Sequence, residues 1–170
     1  MLKKRIKVIF IVLVVILGTG IVINHYIGGE PSDLLKAEVV QVYDGDTIQV
    51  SILNKRETVR LIGIDTPETK GKYNKKDEYY GKEAKRFLKA LLPKGTTVYL
   101  EADLENRDQY DRLLRYVWLD QEQEIFINLI LLEKGYAETM FFEPNTKYYD
   151  LFKNAEAEAK DNNLGMWQKR

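Results

Sequence analysis

Residues Tyr43–Val50 read YDGDTIQV, with two aspartates one glycine apart between two runs of alternating apolar residues. VVQVY precedes them and TIQVSIL follows, a period of two interrupted by Asp-Gly, which predicts the turn of a β-hairpin. Val40 and Val42 alternate on the first arm, and Ile48, Val50 and Ile52 on the second. One Asp-Gly suffices to reverse the chain, so Asp46 is left without an evident task. The NKRE turn then delivers a third strand, TVRLIGI, and a second acidic cluster, IDTPE at Ile64–Glu68, ends it.

Working outward, Ala84, Phe87, Leu88 and Leu91 recur at helical spacing, and Pro93 with Gly95 ends that helix. TTVYLEA and RLLRYVWL predict two more strands. FINLILLEKG predicts a helix stopped at Gly135. Tyr148, Leu151, Phe152, Ala155 and Ala159 line one face of a last helix that ends near Gly165. This element order predicts an α+β domain. Five short strands with a helix after the third suit a five-stranded OB-fold β-barrel with three α-helices, an architecture whose open face and loops bind oligonucleotides.

The chain has 170 residues, 45% hydrophobic and 31% charged, which suits one globular domain with an appendage. It has no cysteine, and its single histidine, His25, lies in the apolar N-terminal segment. Disulfides, thiolate metal sites and histidine catalysis are thereby excluded from the domain. Its chemistry must come from carboxylates, Arg, Lys, Tyr or a hard cation bound by oxygen.

Lys3, Lys4, Arg5 and Lys7 precede an uncharged run from Val8, strongly apolar to Ile23 and less so to Ile27. A helix over Val8 to Ile27 would be roughly 30 Å long, enough to span a bilayer. Residues 1–27 are therefore expected to be a transmembrane anchor, or a signal peptide with a weak Gly18/Gly20 cleavage site, and 28–36 a linker before a domain at 37–170. Either outcome places the domain outside the cytoplasm, on the membrane or secreted, as an expected monomer. Formal charge is zero overall, but the leader holds four basic residues and no acids, so the remainder is net acidic. Against that background, Lys70–Lys94 is a basic segment able to steer a phosphate chain, or simply a solvated face and loop.

If the second and third strands pair antiparallel, Asp46 and Asp65 meet at one end of the barrel. Two carboxylates that close repel unless a cation lies between them, and oxygen-only ligands favour Ca²⁺ or Mg²⁺. Spacing alone favours turn-forming aspartates over a metal site. Glu68 adds a carboxylate able to act as general base beside a metal-bound water. Arg60 precedes Asp65, and RDQYDRLLRYVW supplies Arg107, Arg112 and Arg115, whose forked guanidinium groups suit phosphate. A cation, a base and two arginines suffice for phosphodiester hydrolysis.

DGDT, RLIGIDTPE, YYGKEA, RDQYDRLLRYVW and NNLGMW stand in the order and spacing of the staphylococcal nuclease (thermonuclease) family, which this chain resembles over about residues 37–168. The resemblance implies an OB-fold nuclease that uses Ca²⁺ to cleave DNA and RNA, with single-stranded or frayed duplex substrate preferred. It implies metal ligation by the Asp46 and Asp65 carboxylates and the Thr66 carbonyl. It further implies Glu68 as general base, Arg60 and Arg112 on the phosphate, and Tyr110 at a terminal phosphate. Arg115 competes with Arg112 but falls where the family pattern does not require arginine. Asp44 is expected to shape the turn.

The chain departs from that pattern at Asp111, where the family has glycine, at Gln109, where it has lysine, and at Met140 and Phe142, where it has nucleotide-holding tyrosines. Phe141 and Phe142 are expected to pack in the core. Tyr73, Tyr79 and Tyr80 could stack bases or cover lysine stems. A noncatalytic OB-fold module binding oligonucleotides or another polyanion is the competing function, set apart by the complete set of three acids and two arginines.

Overall fold

The computed structural model describes residues 34–69 and 79–168. The leader, the linker up to residue 33 and Tyr73 lie outside the described residues.

Strand β1 (Leu35–Asp44) begins two residues inside the stretch read as linker and reverses at Gly45–Asp46 into β2 (Thr47–Ile52). The next reversal is Leu53–Asn54, both at positive φ (49° and 67°), as a two-residue hairpin turn requires. Lys55 and Arg56, expected in that turn, already belong to β3 (Lys55–Leu61). Then follow β4 (Gly63–Asp65), α1 (Gly81–Leu91), β5 (Thr97–Glu101), β6 (Leu113–Trp118), α2 (Ile127–Glu133), β7 (Glu138–Met140) and α3 (Tyr149–Asp161). Five strands close a barrel in the order β1-β2-β3-β6-β5, antiparallel except where β3 runs parallel to β6. The predicted OB-fold barrel with three helices is therefore present.

Two expectations need correction. Val40 and Val42 were to share the buried face of β1, yet the buried positions are Ala37, Val39 and Val42. A bulge explains the change of phase: Val39 pairs with Val50 and Gln41 with Gln49, so Val40 has no opposite residue. TVRLIGI, in turn, is two elements. β3 stops at Leu61, the chain turns at Ile62 and Gly63 (φ 78°), and Gly63–Asp65 leaves the barrel to pair with β7. The Ile62 N–H donates to the Arg115 carbonyl, and the Asn128 amide donates to the Ile62 carbonyl, which pins the break.

The core is one apolar cluster. Val39, Ile48, Val50, Val59, Leu61, Val98 and Leu100 come from the barrel, and Ile127, Leu131, Leu132 and Phe152 come from the helices packed on it. Glu101, fully buried, ties the segment before α3 to the barrel. It accepts hydrogen bonds from Trp118 Nε1 (2.8 Å), Gln123 Nε2 (3.1 Å) and the Tyr148 hydroxyl, and pairs with the Lys147 ammonium.

Candidate active site

The β2–β3 register sets Thr47 opposite Arg60, which brings the β1–β2 turn and the end of β3 to one rim of the barrel. Asp46 is buried there. Its Oδ1 accepts from the Thr47 hydroxyl (2.8 Å), and its Oδ2 from the Thr66 N–H (3.1 Å) and hydroxyl (3.2 Å). Gly45 permits this approach: a Cβ on it would lie 2.6 Å from Thr66 Oγ1 and 2.9 Å from two Thr66 carbons. The DTPE loop is thus clamped over the hairpin turn. Asp46 has more to do than the turn requires.

Arg60 joins the two aspartates. Its Nη2 lies 2.7 Å from Asp65 Oδ1 and 3.2 Å from Asp46 Oδ2, and its Nη1 donates to the carbonyls of Ile64 (2.8 Å) and Leu61 (3.1 Å). The break after β3 therefore does not separate Asp65 from Asp46, because Arg60 reaches across it. Glu68 stands at the mouth of the same cleft. Partial burial of its carboxyl, a hydrogen bond with Asp44, and the charges of Asp44, Asp46 and Asp65 push it up to about 7 from 4.5. Asp44, expected only to shape the turn, also caps Gly45 N–H (2.9 Å) and is the immediate partner of Glu68.

On the facing wall, Asp108 holds Arg112. Its Oδ1 accepts from the N–H groups of Tyr110 (2.9 Å) and Arg112 (3.0 Å), while Oδ2 takes Arg112 Nε at 2.6 Å. Burial raises the Asp108 carboxyl, but the Arg112 and Tyr110 hydrogen bonds and the Arg112 charge outweigh it and hold the group below its usual range. Tyr110 lies under the Arg112 guanidinium at 5.5 Å. Arg115, the alternative to Arg112, is only 6% exposed and does not line the cleft. Its Nη groups donate to the Asn106 carbonyl, the Asn106 side chain and the Leu114 carbonyl, so it braces the loop before β6.

These groups line one cleft of about 740 Å³ together with Tyr43, Glu105, Gln109, Met140, Phe142 and Asn145. Phe142 is not core, as expected, but 71% exposed on the cleft wall, whereas Phe141 packs on Phe152. Tyr80 packs on Tyr136 (5.4 Å), and Tyr79 lines a smaller pocket behind Asp65 and Thr66. Asp111 takes the left-handed φ of 63°, a conformation that favours glycine and that Asp tolerates better than most residues. Its backbone carbonyl accepts from Arg107 Nη1, and its carboxylate lies 3.4 Å from the same atom.

Sequence reasoning overlooked Asp108, Asn145 and Tyr43. An Asp four residues before an Arg was the available signal for Asp108. For Asn145, whose side chain holds both Glu105 N–H (2.7 Å) and the Glu105 carbonyl (3.1 Å) across the cleft wall, the chain offers none.

No group of three or more His, Cys, Asp or Glu side chains among the described residues is arranged to enclose a metal. Asp46 and Asp65, joined through Arg60, are a smaller, oxygen-only pair of the chemistry that suits a hard cation keeping part of its water. The acid cluster argues the same way: burial is the main reason that Glu68 is pushed up to about 7, but Asp44, Asp46 and Asp65 add to it through negative charge that a cation would relieve.

The family described as Staphylococcal nuclease homologue matches residues 58–169. The chain is 39% identical to the thermonuclease of Staphylococcus intermedius over 93% of its own length and 96% of that protein's. It is 40% identical to the thermonuclease of Staphylococcus hyicus over 76% of this chain and 74% of that one. With endonuclease YncB of Bacillus subtilis (strain 168) it shares 41% identity over 80% of this chain and 63% of the relative. An OB-type barrel with this rim of acids and arginines, matched over two thirds of its length by one family and over nearly all of it by a thermonuclease, belongs to the staphylococcal nuclease family.

Proposed function

We propose that the chain is a Ca²⁺-dependent nuclease that hydrolyses phosphodiester bonds of DNA and RNA, within strands and from their ends. The observation that carries this reading is the meeting of Asp46, Asp65, Arg60, Glu68 and Arg112, drawn from four separate segments, in one cleft. The names of its relatives, two thermonucleases and an endonuclease, support the same reaction class.

Asp46, Asp65 and the Thr66 carbonyl would hold the ion. When bound there, Ca²⁺ would supply positive charge that offsets charge building on the phosphate oxygens and would lower the pKa of nearby water. Glu68 accepts the proton of the attacking water; the new P–O bond forms as the bond to the leaving oxygen breaks. General-base assistance of this kind is typically worth about 10²–10⁴ in rate. Arg60 and Arg112 stay charged throughout and donate to the phosphate oxygens, most strongly in the transition state. Tyr110, exposed and under the Arg112 guanidinium, would contact a terminal phosphate. The basic–apolar leader supports action outside the cytoplasm, anchored or released.

Digestion of plasmid DNA and of RNA tests the proposal in Ca²⁺, in chelator, and with Glu68→Gln. Full activity in chelator would refute the metal, and undiminished Glu68→Gln activity would refute the base. A protein that binds DNA in Ca²⁺ yet releases no fragments is a binding module instead.

A further inference from the structure

Tyr43 has a place in this site that the chemistry above does not use. Val42 pairs with Ile48 and Asp44 with Thr47, which leaves Tyr43 as the extra residue of a second bulge in β1, at the rim and next to the acids. Bulges beside active sites re-aim one side chain away from the alternation of its strand. Tyr43 lines the cleft and remains 38% exposed. Its hydroxyl accepts from Gln49 Nε2 at 2.7 Å, so the polar end is fixed to the neighbouring strand.

Strand order says what lies across from it. β1 and β6 do not pair in the closed barrel: β2 and β3 separate them on one side and β5 on the other, and Tyr43 lines the same cleft as Asp46, Arg60, Tyr110 and Arg112. Next to Tyr43 stands Asp44, which disfavours a phosphate on that side. The uncharged flat part of a nucleotide is what suits an aromatic ring there.

We propose that Tyr43 is a base-stacking platform for the nucleotide on the β1 side of the phosphate held by Arg60 and Arg112, a reading that rests on the proposed function. An aromatic face accepts any base, so it contributes affinity without sequence preference. It also favours single strands, because in a duplex the face of each base is already covered by its neighbours.

The test is fluorescence anisotropy with a short labelled single-stranded oligothymidylate and the Glu68→Gln protein in Ca²⁺. Adding Tyr43→Ala is expected to weaken binding about fivefold to tenfold, the low end of base–aromatic stacking for a ring that stays partly in water. Tyr43→Phe keeps the ring and should bind as the parent. A second probe, with abasic spacers in place of its bases, needs no change at Tyr43: it should bind the parent protein weakly and lose nothing further on Tyr43→Ala. Equal loss from Tyr43→Ala on both probes, or from Tyr43→Phe and Tyr43→Ala alike, would overturn the proposal. So would an oligothymidylate that does not bind the parent protein. Cleavage of the same probe by the wild-type protein reports the hydrolytic reading separately.

Discussion

Asp108→Asn is the perturbation that most directly probes how the cleft aims its second arginine. The asparagine Oδ1 can still accept from the N–H groups of Tyr110 and Arg112, so the turn between β5 and β6 should keep its shape. The change falls on the other atom. Asp108 Oδ2 takes Arg112 Nε at 2.6 Å, and an asparagine NH₂ would present a donor to that donor. A hydrogen bond between charged groups is worth about 1.5–3 kcal/mol when enclosed. The Arg112 side chain is 30% exposed, so screening reduces this to about 1–2 kcal/mol. If that contact holds the guanidinium where the phosphate charge develops, kcat should fall about fivefold to thirtyfold, with a smaller change in KM. Steady-state kinetics on a short oligonucleotide give the split, and thermal unfolding should shift little. Asp108→Ala removes both roles and should lower kcat and stability together. An Asp108→Asn protein with wild-type kcat would refute the idea that Asp108 positions Arg112.

Three further outcomes are expected. Glu68 keeps its proton more tightly in the folded state than unfolded, so its stabilising effect is complete below about pH 4.5 and is lost as pH rises through about 7; the rise in melting temperature on adding Ca²⁺ should therefore be larger above pH 7 than near pH 5, and calorimetry showing equal shifts would contradict it. Asp111→Gly relieves a left-handed φ of 63° but frees a glycine in the unfolded chain, so stability should stay within about 1 kcal/mol while oligonucleotide affinity rises from loss of the carboxylate that faces Arg107; unchanged affinity in low salt would refute the electrostatic part. Met140→Tyr with Phe142→Tyr restores two hydroxyl donors to the cleft wall and should tighten a nucleoside bisphosphate about fivefold with little change in kcat, as titration and kinetics would show.

The barrel was legible because its strands alternate cleanly and its turns carry Asp-Gly or polar residues. What escaped the sequence was every place where one residue shifts the phase. The bulge at Val40 puts Val39 in the core in its place while Val42 stays buried, and no residue type marks it. The break after Leu61 lies inside an apolar run, and only the positive φ of Gly63 and the bonds at Ile62 reveal it. Asp46, Asp65, Arg60, Glu68 and Arg112 stood out as charges at the ends of strands. Asp108 and Asn145 act through contacts that only the folded chain forms, and Phe142 looked like core because composition does not show which of two adjacent rings faces out.

The charge balance of the cleft links these residues to one requirement. Among the described residues six carboxyl groups line it, from Asp44, Asp46, Asp65, Glu68, Glu105 and Asp108, against the two guanidinium groups of Arg60 and Arg112. Those arginines are already paired, Arg60 with Asp46 and Asp65 and Arg112 with Asp108. Among the described residues the cleft thus offers a polyanion more acids than bases, and the lysine-to-glutamine departure at Gln109 takes a further positive charge from its lining. A bound cation would offset the Asp46–Asp65 pair and lessen the pull on Arg60. Ca²⁺ is thus expected to govern substrate entry as well as the chemical step, and uncharged contacts such as the Tyr43 ring gain weight where charge does little to attract the strand.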